Sequence, residues 1–243
     1  MKRLYVVGIG PGDAAQMTIA CRTALCAADT LIGYTKYIEL VASLFPQKKL
    51  LTTGMRQEEA RCHKALALAA AGETTALICS GDAGVYGMAG LVYELSPQYP
   101  PLEIEVVPGV TAAMAGAALL GAPLTNDFAV ISLSDLLTPW PLIEKRLNHA
   151  AAADFCLALY NPASQQRRDH LRRATEILLQ HKAPDTLCGL ARCIGREGQS
   201  ASLLTLAQLA DAEADMFTTV FIGNAETKEI SGKMVTPRGY HLD

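Results

Sequence analysis

LYVVGIGPGDAAQMTIACRTALCAADTLIG, residues 4–33, passes from an apolar β-rich run (4–9) through a glycine loop into an Ala- and Leu-rich helical segment (18–28) and a second apolar run (30–33). A strand, a crossover helix and a second strand of this length read as a βαβ unit. The pattern continues along the chain. Further strands are predicted over 75–80, 104–108, 128–133, 155–160, 187–192 and 218–223, and further helices over 34–45, 58–71, 86–95, 111–120, 142–152, 165–181 and 206–211. Such alternation predicts an α/β protein with mainly parallel or mixed sheets. At 243 residues there is room for one large or two modest domains. Gly121-Ala122-Pro123-Leu124 is the expected seam, because Gly and Pro end one helix just before the strand pattern restarts, giving domains 1–121 and 122–243.

Composition narrows the class. Half of the residues are hydrophobic and 19% are charged, with 21 Lys+Arg against 24 Asp+Glu for a net charge of −3. That is ample material for a core and too little charge for disorder. No broad basic field is present, so nucleic-acid partners are not expected. The longest apolar stretch, 110–124, is interrupted by Thr111, Gly116, Gly121 and Pro123 and falls short of the roughly 20 residues a bilayer requires, so no membrane partner is expected either. Lys2 and Arg3 precede an apolar run, but Gly8, Gly10, Pro11 and Gly12 break it too early for a signal-peptide core, and a cytoplasmic protein is expected. Seven cysteines without a Cys-x-x-Cys pair predict reduced, mostly buried thiols, and five histidines without ligand spacing predict no metal site.

Three glycine-bearing loops each follow a predicted strand and precede a helix: Gly8-Ile9-Gly10-Pro11-Gly12-Asp13, Ser80-Gly81-Asp82-Ala83-Gly84-Val85-Tyr86-Gly87, and Pro108-Gly109-Val110-Thr111-Ala112-Ala113. In an open parallel sheet such loops share the carboxyl edge, where ligands bind. The first resembles a dinucleotide fingerprint, yet Asp13 replaces its third glycine and would repel a pyrophosphate, while Pro11 removes a backbone donor. No acid waits at the end of the second strand for a ribose, so a nicotinamide-dependent oxidoreductase is the weaker reading. In the second loop, glycines let backbone approach a ligand and Asp82 offers a carboxylate to a hydroxyl pair or an amine, which suits a nucleoside without phosphates. Asp82 and Thr111 also read as ordinary capping residues.

These residues resemble the tetrapyrrole methylases, which transfer methyl from S-adenosylmethionine. The resemblance rests on Gly8 to Asp13, Gly81-Asp82 and Pro108 to Ala112, in that order and at strand ends. It extends over the whole chain and narrows to the branch that methylates C17 of a precorrin-3B or cobalt-factor III ring, in cobalamin synthesis, and contracts the macrocycle. The narrowing rests on residues 33–37 (GYTKY), 53–55 (TGM), 85–90 (VYGMAG), 132–140 (SLSDLLTPW) and 159–162 (LYNP). Ala83 stands where many members have a proline after Gly-Asp.

The resemblance implies two α/β domains with the cofactor in a cleft between them, the tetrapyrrole in a trough above it, and a homodimer. Pro11, Ser80, Gly81, Asp82, Val85, Thr111, Ala112 and Asn161 match the family's cofactor-contact positions, and Gly10 and Asp13 match its macrocycle trough. The substrate's carboxylates call for basic groups, for which Lys36 and Arg56 are the leading residues, with Arg61, Arg192 and Arg196 also beside loops. Arg167, Arg168, Arg172 and Arg173 read as a solvated helix face. Methyl transfer needs alignment rather than a protein nucleophile. Ring contraction moves a carbon while oxygen is captured as a lactone, so protons must move too, and Asp13, Ser134, Asp135 and Tyr160 are the proposed catalytic groups. Ser134-Asp135 equally reads as a cap before Pro139, and Tyr160 as a core aromatic. A methylase of the same family acting on another precorrin carbon, RNA or protein is the other alternative.

Overall fold

A computed structural model describes residues 3–164 and 167–240. The chain divides into two compact units, Met1–Ala112 and Ala113–Asp243. In the first, β1 (Arg3–Gly8), β2 (Thr30–Tyr34), β3 (Lys49–Thr53), β4 (Thr75–Cys79) and β5 (Glu103–Val107) form one parallel sheet in the order β3-β2-β4-β1-β5. Side chains alternate across it. Tyr5, Val7, Leu31, Ala76 and Ile78 pack with Cys21 and Leu25 of α1 (Ile19–Ala27) and with Ile38 and Val41 of α2 (Thr35–Ala42). Leu4, Val6, Ile32, Leu77 and Cys79 face the other way, onto Cys62 and Leu66 of α3 (Glu58–Ala70) and Val92 and Leu95 of α4 (Ala89–Leu95). Both faces of a parallel sheet must be covered, which is why the inner strands β1, β2 and β4 read as nearly continuous apolar runs.

In the second unit, β7 (Phe128–Ser132), β8 (Cys156–Tyr160), β9 (Leu187–Arg192), β10 (Ser200–Thr205) and β11 (Thr218–Ile222) form a mixed sheet ordered β10-β9-β11-β8-β7, with only β7 and β8 parallel. Ile143 and Leu147 of α6 (Trp140–Ala152), Leu171 and Leu178 of α7 (His170–Leu178), and Leu206 and Leu209 of α8 (Leu206–Leu209) cover one face. Helix α5 (Ala112–Leu120) lies close to other strands of this unit: a Cβ on Gly116 would stand 2.9 Å from Phe221, and one on Gly189 would stand 2.6 Å from Leu120. A third, three-stranded sheet joins β6 (Gly121–Ala122), β12 (Lys228–Ile230) and β13 (Lys233–Val235) in the order β12-β13-β6.

Several sequence expectations change. The division falls at the start of α5 rather than at its end, because this helix packs on β9 and β11. Strands β3, β6, β10, β12 and β13 were not predicted. The helix expected from residue 86 starts at Ala89, since Tyr86 holds a left-handed φ of 53°. Of the helix expected over 165–181, residues 165 and 166 lie outside the described residues and α7 begins only at His170. All seven cysteines are unpaired and five are buried; burial raises the thiols of Cys21 and Cys79 to about 11 and those of Cys62 and Cys188 to about 12. Among the described residues no helix is long and apolar enough to cross a membrane.

Candidate functional site

The carboxyl ends of β1, β4 and β5 carry the three glycine loops. Beyond β1 and β4 the pairing continues: Ile9 N–H donates to Cys79 O (2.9 Å), and Gly10 and Gly81 exchange N–H···O bonds of 3.0 and 2.8 Å. Gly10 and Gly81 hold φ of 79° and 66°, a region in which a Cβ is strained. The third loop passes so close that a Cβ on Gly109 would overlap Gly81 O, and one on Gly8 would lie 2.8 Å from Gly109 N. Three backbones therefore meet with no side chain between them.

Asp82 fastens the junction. Its Oδ1 accepts from Gly84 N (2.7 Å) and Val85 N (3.0 Å), and its Oδ2 accepts from Gly109 N (2.9 Å), so one carboxylate ties the second loop to the third. A carboxylate oxygen accepts about two bonds, so Oδ1 is filled while Oδ2 keeps a lone pair. Thr111 follows at the rim, its Cα 3.6 Å from where a Cβ on Gly81 would stand, and Ala112 opens α5. Ser80 directly follows β4, and Pro11 lies between Gly10 and Gly12 in the first loop. Asp13 caps a short 3₁₀ turn, Ala14–Gln16, accepting from Ala15 N (2.8 Å), and is exposed. Thr18 caps α1 through Cys21 N (3.0 Å) and donates to Pro108 O (3.2 Å), joining the first and third loops.

The basic residues proposed for substrate differ in their surroundings. Lys36, in the first turn of α2, pairs with Glu39 at 2.9 Å, and that hydrogen bond raises its pKa. Arg56 is exposed in the loop after β3 with a φ of 62°. Arg61 is not beside a loop in water but on α3 and 2% exposed. Its Nε donates to Thr53 Oγ1 (2.6 Å), its Nη2 to Gly54 O (2.8 Å) and its Nη1 faces Met88 Sδ (3.5 Å), which pins the loop carrying Arg56. Arg192 pairs with Asp215 at 2.7 Å, and the Arg196 guanidinium stands 5.7 Å from the Phe217 ring.

In the second unit the carboxyl ends of β7 and β8 gather a second set. Ser132 pairs in register with Tyr160, and Leu133 N–H donates to Tyr160 O (2.8 Å). The Ser132 hydroxyl accepts from Asn161 Nδ2 (3.0 Å) and Ser134 N (3.2 Å), and Asn161 holds a left-handed φ of 53°. Tyr160 Oη accepts from the buried Ala113 N–H (2.7 Å) in the first turn of α5. Ser134 Oγ accepts from Arg167 Nη1 (2.7 Å). The carboxylate of Asp135, 38% exposed, lies 3.7 Å from Arg167 on one oxygen and 3.7 Å from His170 on the other. Pro139, which precedes α6, makes no side-chain cap, and neither Ser134 nor Asp135 serves as one.

Arg167, expected on a solvated helix face, instead precedes α7, with a side chain 15% exposed and an Nε that has no partner among the described residues. His170, which carries no local sequence signal, contacts Leu133 and Asp135 of the 133–135 turn from more than 30 residues away in sequence. No local periodicity reports such a pairing. Among the described residues no three His, Cys, Asp or Glu side chains stand close enough to share a metal ion.

Comparison with known proteins gives these geometries a context. Residues 3–210 match the family model of the tetrapyrrole (corrin/porphyrin) methylases. A probable cobalt-factor III C(17)-methyltransferase of Salmonella typhimurium is 48% identical over 240 residues, which is 98% of this chain and all of the relative. The crystal structure of the methyltransferase CobJ superposes with a TM-score of 0.90 at 39% identity, covering 96% of this chain and 99% of its own. The uroporphyrin-III C-methyltransferase of Thermus thermophilus complexed with S-adenosylhomocysteine shares the fold, with a TM-score of 0.71 at 23% identity over 91% of this chain and 97% of its own. The chain thus belongs to the tetrapyrrole methylases.

Proposed function

We propose that this protein is an S-adenosylmethionine-dependent C-methyltransferase of cobalamin synthesis. Its substrate is a precorrin-3B or cobalt-factor III tetrapyrrole, methylated at C17 with contraction of the ring. The observation that carries the reading is the likeness, at 48% identity and over essentially both full lengths, to the cobalt-factor III C(17)-methyltransferase. The donor set of the first unit fits the cofactor. Backbone groups at the junction of Gly10, Gly81 and Gly109 can approach a ligand closely, Asp82 Oδ2 retains an acceptor for a hydroxyl or amine, and Pro11 and Asp13 disfavour a phosphate.

Bound S-adenosylmethionine supplies an electrophilic methyl group. Ser80, Gly81, Asp82, Val85, Thr111 and Ala112, with Pro11 and Asn161, hold and orient it, and Gly10 and Asp13 face the macrocycle. Lys36 and Arg56 take its carboxylates as charge-assisted partners. In ring contraction Asp135 takes and returns a proton. Ser134 holds a hydrogen bond beside it, and Tyr160 fixes the start of α5 and the strand end from which Asn161 projects. The protein works as a cytoplasmic homodimer with neither nucleic acid nor membrane as partner. Calorimetry tests the cofactor reading: S-adenosylhomocysteine is expected to bind saturably and NAD not at all, and binding of NAD alone would contradict it.

A further inference from the structure

We propose that His170 is a positioning residue for ring contraction that acts through Asp135. The inference rests on the proton-transfer role of Asp135 given above. The His170 side chain is 5% exposed, and its Nδ1 lies 2.8 Å from Leu133 O. A carbonyl only accepts, so Nδ1 carries a proton and Nε2 is the nitrogen left to answer to its surroundings. Nε2 faces Asp135 Oδ2 at 3.7 Å. The ring cannot turn away: it packs on Trp140 with centroids 4.8 Å apart, and the far end of that stack is held by the Arg173 guanidinium, 4.0 Å from the Trp140 centroid.

Arg167 completes the arrangement from the other side, with Nη1 3.7 Å from Asp135 Oδ1 and 2.7 Å from Ser134 Oγ. Two basic groups therefore flank the two oxygens of one carboxylate whose remaining surface is open. At 3.7 Å neither contact is a hydrogen bond, but the two groups confine the carboxylate from both sides, so that its open edge is the one presented to a substrate proton. It receives the proton on Oδ2, where the unprotonated Nε2 stands beside it as an acceptor, and returns it from the same place, while His170 keeps its own Nδ1 proton on Leu133 O throughout. Misplacement of a reacting group by about 1 Å costs on the order of 10²-fold, which sets the scale of the effect.

The two nitrogens of His170 can be tested apart. In His170→Asn the side-chain amide can still donate to Leu133 O but nothing reaches Asp135; in His170→Gln the amide reaches towards Asp135. The wild type, both variants and Asp135→Asn are incubated with tetrapyrrole and labelled S-adenosylmethionine, and contraction (visible spectrum) is read against methyl incorporation. We expect the ratio of contraction to methylation to fall about 10²-fold in His170→Asn, to recover in part in His170→Gln, and to fall no further when His170→Asn is combined with Asp135→Asn. If Asp135→Asn lowers the ratio and His170→Asn does not, the inference about His170 fails while the role of Asp135 stands. If Asp135→Asn leaves the ratio unchanged, the reading beneath fails. Parallel loss of both reactions with loss of the folded near-ultraviolet signal in His170→Asn would make the imidazole a core element and overturn the proposal.

Discussion

Asp82 shows how one residue reconciles two readings of a sequence. Its type and place in a glycine loop suited either a ligand carboxylate or a cap, and the structure gives it three backbone N–H partners on two loops. Asp82→Asn separates the two roles. If the amide keeps its oxygen on Gly84 and Val85, its NH₂ meets the Gly109 N–H donor to donor; flipped, it meets the other two. Bonds to a charged acceptor contribute about 1.5–3 kcal/mol, so this substitution is expected to cost about 1–3 kcal/mol in urea unfolding and to weaken S-adenosylhomocysteine binding. Unchanged stability would mean that the clip is not formed. Asp13, by contrast, caps an exposed turn, and its removal is expected to be mild for folding. Thus Asp13→Asn should leave the cofactor bound while turnover falls, and the reverse outcome would remove Asp13 from the macrocycle.

At the scale of elements, strands buried on both faces were legible because their apolar runs are continuous: Leu4 to Val7, Ala76 to Cys79 and Leu157 to Leu159 are all buried. Strand β3 escaped because Lys49, Thr52 and Thr53 lend an edge strand the composition of a loop. Strand β10, also at an edge, carries exposed Ser200, Ala201 and Ser202. The loops at the carboxyl edge of the first sheet were legible as glycine patterns, whereas Arg167 and His170 were not, because their partners are set by tertiary packing. Helix α5 offers a test of local design. The Ala113 N–H is buried and satisfied by Tyr160 Oη, so Tyr160→Phe leaves a buried donor unpaired. That substitution is expected to destabilise the protein by about 1–3 kcal/mol on chemical denaturation. A change near zero would return Tyr160 to the role of a plain core aromatic.

For the whole molecule, the seam moved because Gly and Pro at 121–124 end a helix without ending its allegiance: α5 packs beside Phe221 and Gly189 of the second unit. Sequence punctuation marks where an element stops, and packing decides which body it joins. Each unit then brings a distinct chemistry to its strand ends, a backbone junction clipped by Asp82 in the first and an Asp135 carboxylate flanked by Arg167 and His170 in the second. The proposed activity is one reaction on one carbon. Its most direct test is incubation with ¹³C-methyl S-adenosylmethionine and either precorrin-3B or cobalt-factor III, followed by carbon NMR of the purified product. A single labelled methyl at C17 of a contracted ring is expected from at least one of the two substrates. A labelled methyl at another ring carbon, or none from either substrate by a protein that binds S-adenosylhomocysteine, would contradict it.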